Sequence, residues 1–150
     1  MLRGGVSGIL VPMNNRVVHF EIHAADPERA AAFYRDVFGW EIGEWKMPGV
    51  MKDENRYWFV MTAPKDSKEP GVNGGLLFRR GAAPTPGQGV NAFVCTVQVE
   101  NFDETAKKVL AAGGTVALPK MAIAGMAWQG YFIDLDGNIF GVHQPDPNAK

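Results

Sequence analysis

The sequence is poor in the residues that most often announce a chemistry. It has a single cysteine, Cys95, and three histidines, His19, His23 and His143. One cysteine excludes a disulfide within the chain and suits a reducing compartment, so a cytoplasmic location is expected. Neither sign of charge is in excess: 15 Lys and Arg against 16 Asp and Glu leave a net charge of −1. No basic surplus is available for nucleic acid or for an acidic membrane surface, and neither is expected as a partner. No apolar run approaches the roughly 20 residues that cross a bilayer as a helix. The start, Met1 to Pro12, is too short and too broken by glycines for a signal peptide and reads as a flexible lead-in. Also missing are a G-x-G-x-x-G turn after a strand, a Walker pattern and a serine-centred elbow, which removes the usual signs of nucleotide binding and serine hydrolysis. What remains is an ordinary globular composition, 46% hydrophobic and 21% charged over 150 residues, the size of one compact domain.

Against that background one stretch stands out. Val17-Val18-His19-Phe20-Glu21-Ile22-His23 alternates as a strand does, with His19, Glu21 and His23 on one face and Val18, Phe20 and Ile22 on the other. It runs into a helix signal: Asp26 as N-cap, Pro27 at the first helical position, Glu28 in the first turn, then Ala30, Ala31, Phe33, Tyr34, Val37 and Phe38 at helical spacing up to Gly39. Strands are expected over Trp40–Trp45, Tyr57–Thr62 and Val72–Arg79, with a turn near Pro48-Gly49. The Pro/Gly-rich segment Gly81–Gly89 is the strongest boundary signal in the chain.

The order then repeats. A strand is expected over Val90–Val99 and a helix capped by Asn101 with Phe102, Ala106, Val109 and Leu110 on one face, stopped at Gly113-Gly114. A short strand at Thr115–Leu118, a loop through Met121–Met126, a strand over Trp128–Asp134, a tight turn at Asp136-Gly137-Asn138 and a last strand Ile139–His143 complete it, before a loose tail from Pro145. From first strand to helix stop the halves align at an offset of 75 residues, with His19 on Val94, Glu21 on Thr96, Asp26 on Asn101 and Gly39 on Gly114. The last strands align with Gly75 on Gly141. One domain of two modules follows, residues 16–80 and 90–145, joined by a linker at 81–89.

Two β-α-β-β-β units with His-x-Glu in the first strand resemble the vicinal oxygen chelate superfamily of glyoxalase I, bleomycin-resistance proteins and extradiol dioxygenases. The resemblance rests on Val17–Ile22, Asp26–Tyr34, Val72-Asn73-Gly74-Gly75-Leu76 and Asp134-Leu135-Asp136-Gly137-Asn138-Ile139-Phe140-Gly141, and is strongest to single-domain glyoxalase-like members. It implies an α+β fold in which the two modules form a curled, barrel-like mixed sheet around a cleft, and a homodimer. It also implies that metal-dependent members carry ligands at the positions of His19, Gly75, Val94 and Gly141. Of these only His19 can bind a metal, so neither metal nor other cofactor is expected.

The function expected is that of a glyoxalase-like small-molecule protein. In one reading it is a metal-independent enzyme of lyase or isomerase type. Glu21 and His19 then carry out proton transfer on a small metabolite, with Asn73, Trp58, Trp128 and His143 lining the ligand cavity. In a second reading the cleft sequesters an aromatic ligand unchanged, as bleomycin-resistance proteins do. In a third, His19, Glu21 and His143 form a non-standard metal site. Cys95 lies on the apolar face of its strand and is expected as inert packing.

Overall fold

The computed structural model describes residues 19–46, 56–90 and 93–150. The lead-in, the strand start at Val17-Val18 and the turn near Pro48-Gly49 lie outside the described residues. The chain runs through β1 (Phe20–Ala24), α1 (Pro27–Phe38), β2 (Glu41–Glu44), β3 (Tyr57–Met61) and β4 (Gly74–Phe78). It continues with β5 (Thr96–Gln98), α2 (Phe102–Ala111), β6 (Thr115–Ile123), β7 (Ala127–Ile133) and β8 (Ile139–Pro145). This is β-α-β-β-β twice, as the internal repeat predicts.

The helices form where the caps say they should. Asp26 sits in an extended conformation (φ −129°, ψ 93°) and its carboxylate accepts the Arg29 amide at 3.1 Å, satisfying a donor that the first turn leaves orphaned. Gly39, at φ 71°, closes the helix in the left-handed region that glycine enters without a Cβ penalty. Asn101 caps α2 in the same way, accepting the Glu104 amide at 3.0 Å. Each helix turns an apolar stripe inward: Ala30, Ala31, Phe33, Tyr34 and Val37 from α1, and Phe102, Thr105 and Val109 from α2. Leu110, expected on that stripe, is 52% exposed, and the smaller Thr105 takes its place.

The strands make two four-stranded mixed sheets that do not close into a barrel. Their orders are β1-β4-β3-β2 and β5-β8-β7-β6, with β1 parallel to β4, β5 parallel to β8 and the other pairs antiparallel. Parallel pairing sets Glu21 opposite Gly75 and Thr96 opposite Gly141, the same equivalences that the repeat offsets give. One face of each sheet packs on the helices. There Ile22, Trp58, Val60, Leu76, Phe132, Phe140 and Val142 join the helix residues in one core, each large apolar side chain contributing about 1.5–3 kcal/mol by leaving water. Among the described residues, the other face of each sheet carries no helix.

Several elements differ from expectation. β5 is only three residues long, and Cys95 just before it is exposed rather than packed. β6 absorbs the first half of the expected loop and runs nine residues, with register shifts on either side of Leu118. Pro119 lies in this irregular stretch, and as an edge strand β6 tolerates a residue without an amide donor. The tail is docked: Ala149 is 2% exposed, its carbonyl accepts the Gly125 amide at 2.8 Å, and the Asp146 amide reaches the Met126 carbonyl at 2.8 Å.

The turn between β7 and β8 clamps the second module to the first. Asp136 Oδ1 accepts the Ala25 amide at 2.8 Å, and Arg79 donates to the Asp136 carbonyl at 3.0 Å. Asn138 Nδ2 donates to the His23 carbonyl at 3.2 Å, and the Tyr34 hydroxyl donates to Asp134 Oδ2 at 2.9 Å. Burial, reinforced by the adjacent Asp134 carboxylate, keeps that hydroxyl protonated well beyond the usual tyrosine range.

Candidate functional site

The face of the first sheet that carries no helix holds the polar strand face read from the sequence. β1 brings His19, Glu21 and His23 to it, with His19 immediately before the strand. The register lines Glu21, Gly75, Phe59 and Gly43 across the four strands. Two of these four are glycines, and each seats an aromatic side chain from β3. A Cβ built on Gly75 would overlap the Tyr57 hydroxyl, and one built on Gly43 would lie 2.6 Å from Phe59 Cζ. The rings therefore lie down over neighbouring strands instead of standing off the sheet. Trp45, 52% exposed, continues the surface with its ring edge-on to Tyr57 at 6.5 Å.

Tyr57 is the centre of this patch. Its hydroxyl lies 2.9 Å from His19 Nε2. Desolvation, and to a lesser degree the charge of Glu21, raise its pKa, so at neutral pH it is a phenol able both to donate and to accept. Glu21 pairs with His23 at 3.5 Å, both about half exposed. Carboxylate, phenol and imidazole thus share one open surface beside aromatic rings.

The corresponding face of the second sheet is built differently. His143 Nδ1 lies 2.7 Å from Gln129 Oε1. A Cβ on Gly141 would meet Thr96 Oγ1 at 2.5 Å and Gln129 Nε2 at 3.0 Å. In both sheets the last-strand glycine is covered by hydrogen-bonding side chains of its own sheet. An open cleft of about 1600 Å³ runs between the modules, but linker residues and the helix side line most of it, and it reaches the first sheet's open face at Glu21 and not at Tyr57 or Phe59.

These residues do not fit a metal. Of the four positions implied by the resemblance, two are glycines whose side-chain space is already occupied, by Tyr57 in one sheet and by Thr96 and Gln129 in the other, and Val94 has no donor atom. The non-standard set fails too. Among the described residues, which include His19, Glu21 and His143, no three His, Cys, Asp or Glu side chains are grouped to hold an ion.

The other expected ligand contacts are placed differently. Trp58 is 1% exposed on the helix side; its Nε1 donates to Glu28 at 3.3 Å and Arg56 stacks on its ring at 4.7 Å. Trp128 also faces the helix side, under Lys120 at 4.6 Å, with Nε1 donating to Asp146 at 3.0 Å. Asn73 is exposed, and its Oδ1 accepts the Thr62 amide at 2.9 Å, which fixes the β3–β4 connection. Sequence reasoning passed over Tyr57, Gln129 and Thr96. The available signal was alternation: Tyr57 and Phe59 share a parity, and a glycine on the neighbouring strand leaves room for a ring.

Comparison with known proteins agrees with this fold. The family described as bleomycin resistance protein-like N-terminal matches residues 16–51. With the paired modules, this match supports the resemblance to the vicinal oxygen chelate superfamily that the sequence carries. Its fold is similar to that of the fosfomycin resistance protein FosX from Listeria monocytogenes, solved as a mutant complexed with Mn(II) and 1S,2S-dihydroxypropylphosphonic acid (21% identity, TM-score 0.60, covering 87% of this chain and 90% of that one). It is also similar to TnmS3, an antibiotic binding protein from Streptomyces sp. CB03234 (24% identity, TM-score 0.57, covering 90% and 99%). A third similar structure is a glyoxalase-related enzyme from Fulvimarina pelagi (22% identity, TM-score 0.57, covering 87% and 88%). A comparison with curated protein sequences finds no match. No helix among the described residues is long and apolar enough to cross a membrane.

Proposed function

We propose that this protein binds a small organic molecule on the open face of its first sheet and sequesters it unchanged; the similarly folded TnmS3 is named as an antibiotic binding protein. The observation that carries the reading is the Tyr57 hydroxyl lying over Gly75 within 2.9 Å of His19. A position that supplies a metal ligand in metal-dependent relatives offers here a neutral hydrogen-bonding group. Around it lie Trp45 and Phe59, the apolar and aromatic surface on which organic ligands rest.

One observation favours a second reading. His19 and Tyr57 share a hydrogen bond beside Glu21, which makes a proton donor and two acceptors available for lyase- or isomerase-type proton transfer without a metal. The two readings differ in what happens to the ligand. Bleomycin titrated into the protein should quench tryptophan fluorescence saturably and be recovered unaltered by mass spectrometry. Recovery of a chemically changed compound would replace sequestration with catalysis. We further propose a homodimer in a reducing cytoplasm. In support, the edge strand β6 exposes Val116, Leu118 and Met121 by 48%, 44% and 40%, and the single cysteine needs no oxidising compartment.

A further inference from the structure

The segment that joins the modules has the build of a hinged flap. Resting on the small-molecule reading above, we propose that residues 84–88 form a stiff piece that swings on Gly81 and Gly89. Its movement closes the cleft between the modules over a ligand held beside Glu21.

Stiffness is the first argument. Proline fixes its own φ and keeps the residue before it extended, so Pro84 and Pro86 restrict residues 83–86. Thr85-Pro86-Gly87-Gln88 then closes on itself. The Gln88 amide donates to the Thr85 carbonyl at 3.0 Å, and the Thr85 amide donates to Gln88 Oε1 at 3.2 Å. Proline at the second position and a glycine at φ 78° at the third suit a type II turn. Such a piece keeps its shape when it moves.

The second argument is how loosely that piece is held. Every residue from Gly81 to Gly89 is exposed, and among the described residues the hydrogen bonds of this segment are all internal. Gly81 sits at φ 113°, where a residue with a Cβ is strained. Gly89 has no positive φ, and a Cβ there would meet nothing within 4 Å. Nothing in this conformation calls for a glycine at 89; a hinge does. The third argument is the cleft. Residues 82–89 line it together with Thr96 and Asn138, and it extends to Glu21. Sites that enclose a small ligand hold roughly 300–1,000 Å³. At about 1600 Å³ this cleft encloses an occupant only by narrowing.

The test locks the segment where it lies. Pro84 Cβ is 3.5 Å from the place a Cβ on Gly137 would take, within disulfide reach. Pro84→Cys with Gly137→Cys, and Cys95→Ser to remove the native thiol, should oxidise to a disulfide that pins the cleft open. In NMR relaxation dispersion of the full chain, the amides of residues 82–89 should share one exchange rate. That exchange should vanish in the oxidised variant and return with dithiothreitol. Bleomycin, followed by tryptophan fluorescence, should leave the oxidised form at least about fivefold faster than the reduced form, the low end of conformational coupling. Gly89→Val tests the hinge without strain at Gly137: it should keep the urea midpoint and lose the shared exchange. Three results would each overturn the flap and leave small-molecule binding intact: no shared exchange in the native chain, exchange unchanged by Gly89→Val, or equal bleomycin release from oxidised and reduced forms. Shared exchange without any quenching by bleomycin overturns the small-molecule reading, and closure over a ligand with it.

Discussion

A Cβ at Gly75 would occupy the space that the Tyr57 hydroxyl fills, so the smallest possible substitution there tests the site. Gly75→Ala should push the phenol off its seat and break its contact with His19. The cost should be about 1.5–4.5 kcal/mol in urea denaturation, the range for overpacking plus one lost hydrogen bond. In a Tyr57→Ala background the same substitution should cost much less, because nothing is left to collide with it. Equal costs in both backgrounds would mean that the two residues are not coupled. The sequence made half of this legible. Alternation alone put His19, Glu21 and His23 on the face away from the core. The seating of Tyr57 was not legible, because it depends on a glycine brought alongside by a chain reversal, and pairing register between β3 and β4 cannot be read from either strand separately.

At the scale of elements, the turn from Asp134 to Asn138 ties the second module to the first. Asp136 is 8% exposed and holds the Ala25 amide at 2.8 Å. Asp136→Ala should therefore cost about 2–3 kcal/mol, since it strands a buried amide and takes a carboxylate from beside Arg79. It should appear as a lower urea midpoint with the slope unchanged. A loss below about 0.5 kcal/mol, the level of an ordinary surface substitution, would show that the turn is not a clamp. The helices were legible because their caps are local: Asp26, Gly39 and Asn101 act on amides and dihedrals within a few residues. β6 was not. Its middle, Leu118-Pro119-Lys120-Met121-Ala122, has weak strand propensity, and pairing with β7 overrides it. Trp58 and Trp128 misled for a related reason. A large aromatic ring suits a ligand cavity and a core equally well, and only the register tells which side of the sheet it takes.

At the scale of the whole molecule, the paired modules were legible as a repeat of order and caps, and the structure keeps the same equivalences in its registers. What the repeat did not reveal is how different the two open faces are. One carries His19, Glu21 and His23 beside the rings of Tyr57, Phe59 and Trp45; the other carries Thr96, Gln129 and His143. The scaffold is shared, and the side chains standing on it decide what each half can bind. The central claim is that ligand is held on the first sheet's open face, and the four tryptophans report on it directly. In two-dimensional NMR of isotope-labelled protein titrated with bleomycin, the indole resonance of Trp45 should shift, while those of the core residue Trp58 and of Trp128 should stay in place. Movement of Trp128 with Trp45 unchanged would put the ligand on the second module and contradict the account.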